Sequence, residues 1–176
     1  MKKTHHFISS LLVVSLLILA GFAGVSVSEP SSTTTISVLP QAQTVAIDET
    51  FTVNITIDSS EPLEIGQAAL TFNPDILEVI EVTDGEMFDI WLPDLSSKVL
   101  NISNQNGTIK GMTAMSPENL VSTGTLAVIT FKATAAGSSL LQFIIDDDET
   151  LVATETENYV PTTQNGTVTV SEEPND

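Results

Sequence analysis

The chain of 176 residues contains no cysteine and no arginine, and both of its histidines lie within the first six positions. Ser-His-Asp and Cys-His catalysis, zinc sites built on histidine and arginine clamps for phosphate are therefore excluded for the rest of the chain. Because no disulfide can form, the fold must be stabilised by packing alone. One Trp and one Tyr are also too few for an extended sugar-binding platform.

Basic residues are scarce throughout, with 5 Lys and Arg against 23 Asp and Glu and a formal net charge of −18. Without residues 1–23, the only cations are Lys98, Lys110 and Lys132, and the net charge is −20. Such a charge repels phosphate backbones and anionic lipids, which excludes nucleic acid as a partner and argues against binding to a membrane surface. It favours a cationic or calcium-loaded partner or a salty medium, and the alternative is that it serves solubility alone.

The N-terminal segment has the pattern of a signal peptide: two lysines, an apolar run over residues 11–22, and small residues after it. The run is interrupted by Ser15 and is shorter than the roughly 20 apolar residues of a spanning helix, so we expect cleavage near Ala23 and no stable membrane insertion. The protein is therefore predicted to be secreted or extracellular. The predicted organisation is a signal peptide at 1–23, a Ser/Thr-rich linker at 24–34, a folded domain at 35–171 and a polar tail at 172–176.

Apolar residues recur at every second position, most clearly at Phe51, Val53, Ile55 and Ile57, which is the period of a half-buried strand. Helical periodicity never extends over a long segment, and only residues 85–91 are predicted to form a short helical turn. Asn-Gly and Asn-Pro-Asp turn signals separate the strand candidates. These candidates are residues 35–39, 51–57, 64–72, 76–82, 99–104, 108–114, 125–133, 139–145 and 167–171. The pattern predicts an all-β fold, a jelly-roll β-sandwich of about nine strands.

Three stretches, in this order, resemble a cohesin domain, the receptor module of cellulosome-type assemblies. Residues 69–79 (ALTFNPDILEV) are similar to the strand, aromatic-Asp-Pro turn and strand of the family, with Asn73 where Asp is usual. Residues 124–133 (GTLAVITFKA) are similar to the family's Gly-x-Leu-Ala-x-Ile-x-Phe-Lys strand, and residues 166–170 (GTVTV) are similar to its ending. Together with the strands before them, these stretches cover nearly all of residues 35–171.

The resemblance implies a nine-stranded jelly roll, one sheet face of which binds dockerin, a small calcium-loaded helical module attached to enzymes. It implies a role in extracellular assemblies that degrade polysaccharides, with neither enzymatic activity nor a cofactor in this chain. The alternative is a related carbohydrate-binding or adhesive surface domain with polysaccharide as its ligand. For that alternative, the candidate stacking platform is Trp91 with Phe88 and Tyr159.

The recognition sheet that the resemblance implies can be assigned an outer face by alternation, because Leu70, Ile109 and Phe143 are expected to point inward. The outward residues predicted to bind the partner are Ile65, Gln67, Ala69, Lys110, Met112, Met115, Leu140, Gln142 and Ile144. Their apolar members would form an exposed interaction patch unless a loop covers them or a one-residue register shift inverts them. Cohesins often carry Asn and Asp at the positions of Ile65 and Gln67, so this chain departs from the family there.

Weaker patterns concern carboxylates and asparagines. Asp84, Glu86 and Asp89 or Asp94 are the candidates for a glycosidase pair, although a solvated acidic loop is far commoner. Residues 146–149 (DDDE) lack the glycine and the alternating ligands of an EF-hand loop, so we interpret them as a solvated loop and predict no metal site. Asn-x-Ser/Thr triplets give candidate glycosylation sites at Asn54, Asn101, Asn106 and Asn165.

Overall fold

Strands account for most of the residues that the structure describes. The computed structural model describes residues 33–96 and 99–172, so the predicted signal peptide, residues 24–32 of the linker and residues 173–176 of the tail lie outside the described residues. The described part contains one four-residue helix, α1 (Leu92–Leu95). Its strands are β1 (Thr34–Leu39), β2 (Ala42–Ala46), β3 (Thr50–Leu63), β4 (Ile65–Thr71), β5 (Leu77–Asp84), β6 (Ile90–Trp91), β7 (Asn101–Ser103), β8 (Thr108–Met115), β9 (Val121–Ala133), β10 (Gly137–Phe143), β11 (Leu151–Ala153), β12 (Asn158–Tyr159), β13 (Thr162–Gln164) and β14 (Gly166–Ser171).

The strands form two sheets. The first has five strands in the order β13-β1-β3-β9-β5. The second has nine, with β12-β11-β4-β10-β14-β2 as its main path, β8 on the other side of β4, and β6 and β7 paired with β8. The sheets are mostly antiparallel, but β1 pairs with β13 and β2 with β14 in parallel. The predicted all-β sandwich is therefore confirmed.

Alternation along the strands supplies the core between the two sheets. In β3, Phe51, Val53, Ile55 and Ile57 are all buried, as their spacing predicts. At the centre, Phe131 of β9 is fully buried, and its ring centroid lies 5.8 Å from that of Phe51 and 5.4 Å from that of Phe72. Burial of these side chains stabilises a fold that has no covalent cross-link.

Two sequence-based expectations differ from the structure. Fourteen strand segments occur in the described residues where about nine were predicted, because β2, β6, β11, β12 and β13 have only two to five residues and too little alternation to be recognised. The predicted helical turn at residues 85–91 is wrong. The helix begins at Leu92, with Pro93 in its first turn, while Glu86 has φ of 63° and Trp91 pairs with Ala114 of β8.

Candidate functional site

The face of the nine-stranded sheet that points away from the core is the candidate site. Its central strands are β4 and β8, with β7 and β6 beyond β8 and with β10 and β11 on the other side of β4. In the row of Trp91, Ala114, Gly66 and Val152, every residue is buried. The rows on either side of it therefore point outward.

An apolar row crosses one end of this outer face. Ile90, Met115, Ile65 and Ala153 are directly opposite one another across β6, β8, β4 and β11, and each is partly exposed. We call these four residues the apolar row. Directly paired side chains on one face lie about 5 Å apart, so the four form a continuous strip. The sequence had indicated Ile65 and Met115, but it gave no signal for Ile90 and Ala153 because their strands are only two and three residues long.

A polar row crosses the other end. Ser103, Thr108, Thr71 and Gln142 are opposite one another across β7, β8, β4 and β10. Beside Gln142 on β10 lies Leu140, whose side chain is 50% exposed. One end of the outer face therefore carries the apolar row. The other end carries neutral polar side chains, with the exposed Leu140 at their edge.

Residues 144–150, which we call the central loop, separate the two ends. Both β10 and β11 pair with β4 on the same side, so they are two halves of one strand position that the loop interrupts. Its middle forms a 3₁₀ turn, Asp146–Asp148. At the gap, the backbone N–H of Ala69 donates to Thr150 Oγ1 (3.2 Å), and its carbonyl accepts from the backbone N–H of Ile144 (2.9 Å). These two bonds satisfy the backbone N–H and carbonyl of Ala69 at the point where β4 has no paired strand on this side.

Two outward side chains hold the central loop on the face. Gln67 Nε2 donates to the carbonyl oxygen of Asp148 at 2.7 Å, while Gln67 Oε1 accepts from Thr113 Oγ1 at 3.2 Å. Lys110 Nζ forms an ion pair with Glu149 Oε1 at 2.5 Å. Because both side chains leave the sheet on its outer side, the loop passes over the face between them.

The structure corrects two of the nine predicted contact residues. Ala69 points outward but is completely buried, because the central loop covers it. Met112 is also completely buried, because it points into the core. Gln67 and Lys110 point outward as predicted but are bonded to the loop. Ile65, Met115, Leu140, Gln142 and Ile144 all retain exposed surface, and their contact with a partner stays a prediction.

Met112 points inward because β8 contains a bulge. Leu70 is opposite Ile109 and Ala68 is opposite Met112, so two steps along β4 correspond to three along β8. Gly111 has φ of 79°, as expected for the glycine of such a bulge. The extra residue inverts the alternation, and Ile109 and Met112 both face the core although they are three residues apart. A lone glycine in the sequence was insufficient to place this bulge.

Replacing Gly111 by alanine is expected to lower the free energy of unfolding by about 1–3 kcal/mol, because alanine is strained at this φ. An added Cβ would also lie 1.8 Å from the carbonyl oxygen of Val99. Urea denaturation of Gly111→Ala measures the loss. Gly124→Ala is the control for added volume without a left-handed backbone, since Gly124 has no positive φ and its Cβ would meet the Met87 side chain (Cγ at 2.8 Å) rather than a backbone atom. A loss at position 111 no larger than that at position 124 would argue against the bulge.

The aromatic residues of the alternative sugar platform do not form a surface. Phe88 and Trp91 are buried in the core, with 4% and 6% of their surfaces exposed. The hydroxyl of Tyr159 lies 2.8 Å from that of Thr34, to which it is hydrogen-bonded. Stacking of a sugar needs an accessible ring face, so these residues give the carbohydrate-binding alternative no support.

The carboxylates considered for a glycosidase are partly brought together. Asp84, Glu86 and Asp94 line one cleft with Trp91, whereas Asp89 is not among its lining residues and instead accepts a hydrogen bond from Asn119 Nδ2 at 3.0 Å. Within residues 33–96 and 99–172, no group of three or more His, Cys, Asp or Glu side chains is arranged to hold a metal ion. Likewise, no helix of the described part is long and apolar enough to cross a membrane.

The four sequon asparagines are all exposed. Asn54 lies in β3 of the other sheet, and Asn106 follows β7 in the turn before β8. Asn101 is opposite Lys110, next to the outer face. Asn165 Oδ1 accepts a hydrogen bond from the backbone N–H of Phe143 at 3.1 Å. Glycosylation at these positions stays a prediction, and a glycan on Asn101 would lie beside the candidate site.

Among solved structures, the chain is similar in fold to cohesins and to chains of cohesin-dockerin complexes. A chain of the CaDoc0917-CaCohA2 complex is 23% identical with a TM-score of 0.62, covering 79% of this chain and 100% of that chain; CaCohA2 comes from Clostridium acetobutylicum. A chain of the Coh-OlpA-Doc918 cohesin-dockerin complex from Clostridium thermocellum is 14% identical with a TM-score of 0.62, covering 79% and 99%. A non-cellulosomal cohesin from the archaeon Archaeoglobus fulgidus is 17% identical with a TM-score of 0.60, covering 79% and 91%.

These structural similarities concern the fold, which this chain shares with modules solved together with dockerins. No curated protein sequence matches the chain significantly. The family model described as "Cohesin domain", however, matches residues 36–170, which is most of the chain and nearly all of the sandwich. The chain therefore belongs to the cohesin family.

Proposed function

We propose that this cohesin is a secreted receptor module that binds a calcium-loaded, dockerin-type protein module through the outer face of its nine-stranded sheet. The pattern of residues 1–23 supports secretion. Because dockerins are attached to enzymes in the family that the sequence resembles, we further propose a role in extracellular assemblies that act on polysaccharides. The chain itself contributes binding and no catalysis.

The observation that carries this proposal is the apolar row. Four aligned apolar side chains remain partly exposed on a chain with a net charge of −18. Single exposed apolar residues are normal on a protein surface, but a contiguous group of them marks an interaction site. Protein interfaces commonly have an apolar centre within a polar rim. Here Gln67 and Thr113 border the row on the side of the central loop.

The face is suited to a protein rather than to a small molecule. The row lies on a sheet surface, and its four residues line neither of two clefts, one at Glu61, Pro62 and Thr154 beside the end of β11 and the other at Asp84 and Glu86. Small ligands bind in concave sites that bury most of their surface, whereas a protein module covers a flat one.

The proposal is tested by calorimetric titration of the chain with dockerin-type modules from the same organism, in calcium and again after calcium is removed by a chelator. Saturable binding of at least one module in calcium, lost with the chelator because the module unfolds without its ions, is expected. Binding to none of these modules, together with binding to polysaccharide, would contradict the proposal and favour the carbohydrate-binding alternative.

A further inference from the structure

We infer that the central loop is the specificity element of the docking face, and that the partner meets it with an apolar side chain against Ile145 and basic side chains near Asp146 and Asp148. This inference rests on the proposed function. It concerns which dockerin-type module binds and adds a contact that alternation along the strands did not indicate.

The position of the loop makes contact with a docked module unavoidable. The loop passes over Ala69, between the apolar row at one end of the face and Leu140 at the other. Ile145 is 52% exposed at this central point. Because the loop stands above the sheet, a module that covers both ends of the face must also cover the loop.

Charge decides the chemistry of the partner at this point. Asp146 and Asp148 are exposed, and the Lys110 ammonium, the positive group that the described residues place on this face, is already paired with Glu149. Burying carboxylates against a partner is unfavourable unless a positive group faces them. The acidic loop therefore selects a module with Lys or Arg beside an apolar residue and disfavours one with acidic residues there.

The loop is held in place before a partner arrives. Lys110 binds it through the Glu149 carboxylate, Gln67 through the carbonyl of Asp148, and Thr150 through the backbone of Ala69. A surface that is already ordered loses less conformational entropy on binding. Lys110, predicted from the sequence to touch the partner, is thus a positioning residue that acts through Glu149.

The test uses the full chain and a calcium-loaded dockerin-type module that binds it. Asp146→Asn with Asp148→Asn is expected to weaken binding at least about tenfold and to flatten its salt dependence. Asparagine tolerates the positive φ of Asp148 (57°), so the backbone is kept. The control is Glu78→Gln with Glu81→Gln, two exposed carboxylates on β5 of the other sheet, for which no change is expected.

Lys110 is tested by charge reversal. Lys110→Glu is expected to weaken binding, and Lys110→Glu combined with Glu149→Lys is expected to restore most of it, which a direct contact of Lys110 with the partner would not allow. Equal affinity of the loop variant and the β5 control, or failure of the exchange to restore binding, overturns the inference while leaving the proposed function intact. Absence of binding by the unaltered chain to every dockerin-type module overturns the proposed function and the inference with it.

Discussion

Replacing Ile65 by aspartate is expected to weaken binding of a dockerin-type module about 30-fold or more. Ile65 lies within the apolar row, between Met115 and Ala153. Truncation of a hot-spot residue in an interface costs about 2 kcal/mol or more, and a buried, unpaired carboxylate adds its desolvation. Since about 1.4 kcal/mol is a tenfold change in affinity, the loss is readily measured by calorimetry.

A matched control separates this effect from a general effect of added charge. Ile80 on β5 is 54% exposed in the five-stranded sheet, remote in strand order from the apolar row. Ile80→Asp is expected to bind as the unaltered chain does, and thermal unfolding should show both variants folded. Equal losses in the two variants, or full affinity in Ile65→Asp, would mean that the apolar row is not part of the interface.

Replacing Phe131 by alanine is expected to lower the free energy of unfolding by about 3–5 kcal/mol. The Phe131 side chain is completely buried and packs against the rings of Phe51 and Phe72. Its removal leaves a cavity between the sheets, and a chain without disulfides has only such packing to close them. Urea denaturation measures the loss.

The control for Phe131 is Thr52→Ser, an exposed position next to Phe51 on the outer side of β3. It is expected to change the free energy of unfolding by no more than about 0.5 kcal/mol. A loss below about 1 kcal/mol for Phe131→Ala would show that the centre of the sandwich is not packed around this ring.

The fold could be predicted from the sequence because several of the longer strands keep a clear alternation of buried and exposed residues. Phe51 to Ile57 in β3 and Leu141 and Phe143 in β10 are buried at every second position. Pairing in a sheet depends on this period, so the sandwich follows from it. The strands that were missed have two to five residues, and their pairing depends on contacts with distant strands that local pattern does not reveal.

The candidate site was predicted less completely for two local reasons. One extra residue at Gly111 inverts β8, so that Met112 enters the core and Met115 faces outward. Residues 144–150 leave the sheet and return as β11, which buries Ala69 and brings Glu149 to Lys110. Neither the bulge nor the loop changes hydrophobic periodicity enough to be recognised, because each is decided by tertiary hydrogen bonds.

The measurement that tests the central claim most directly is chemical-shift mapping of the isotope-labelled chain during titration with a calcium-loaded dockerin-type module. The largest shifts are predicted on the outer face of the nine-stranded sheet, at Ile65, Met115, Leu140 and Ile145, while β3 and β9 of the other sheet stay unchanged. Shifts confined to the five-stranded sheet or to the cleft at Asp84 would contradict the account.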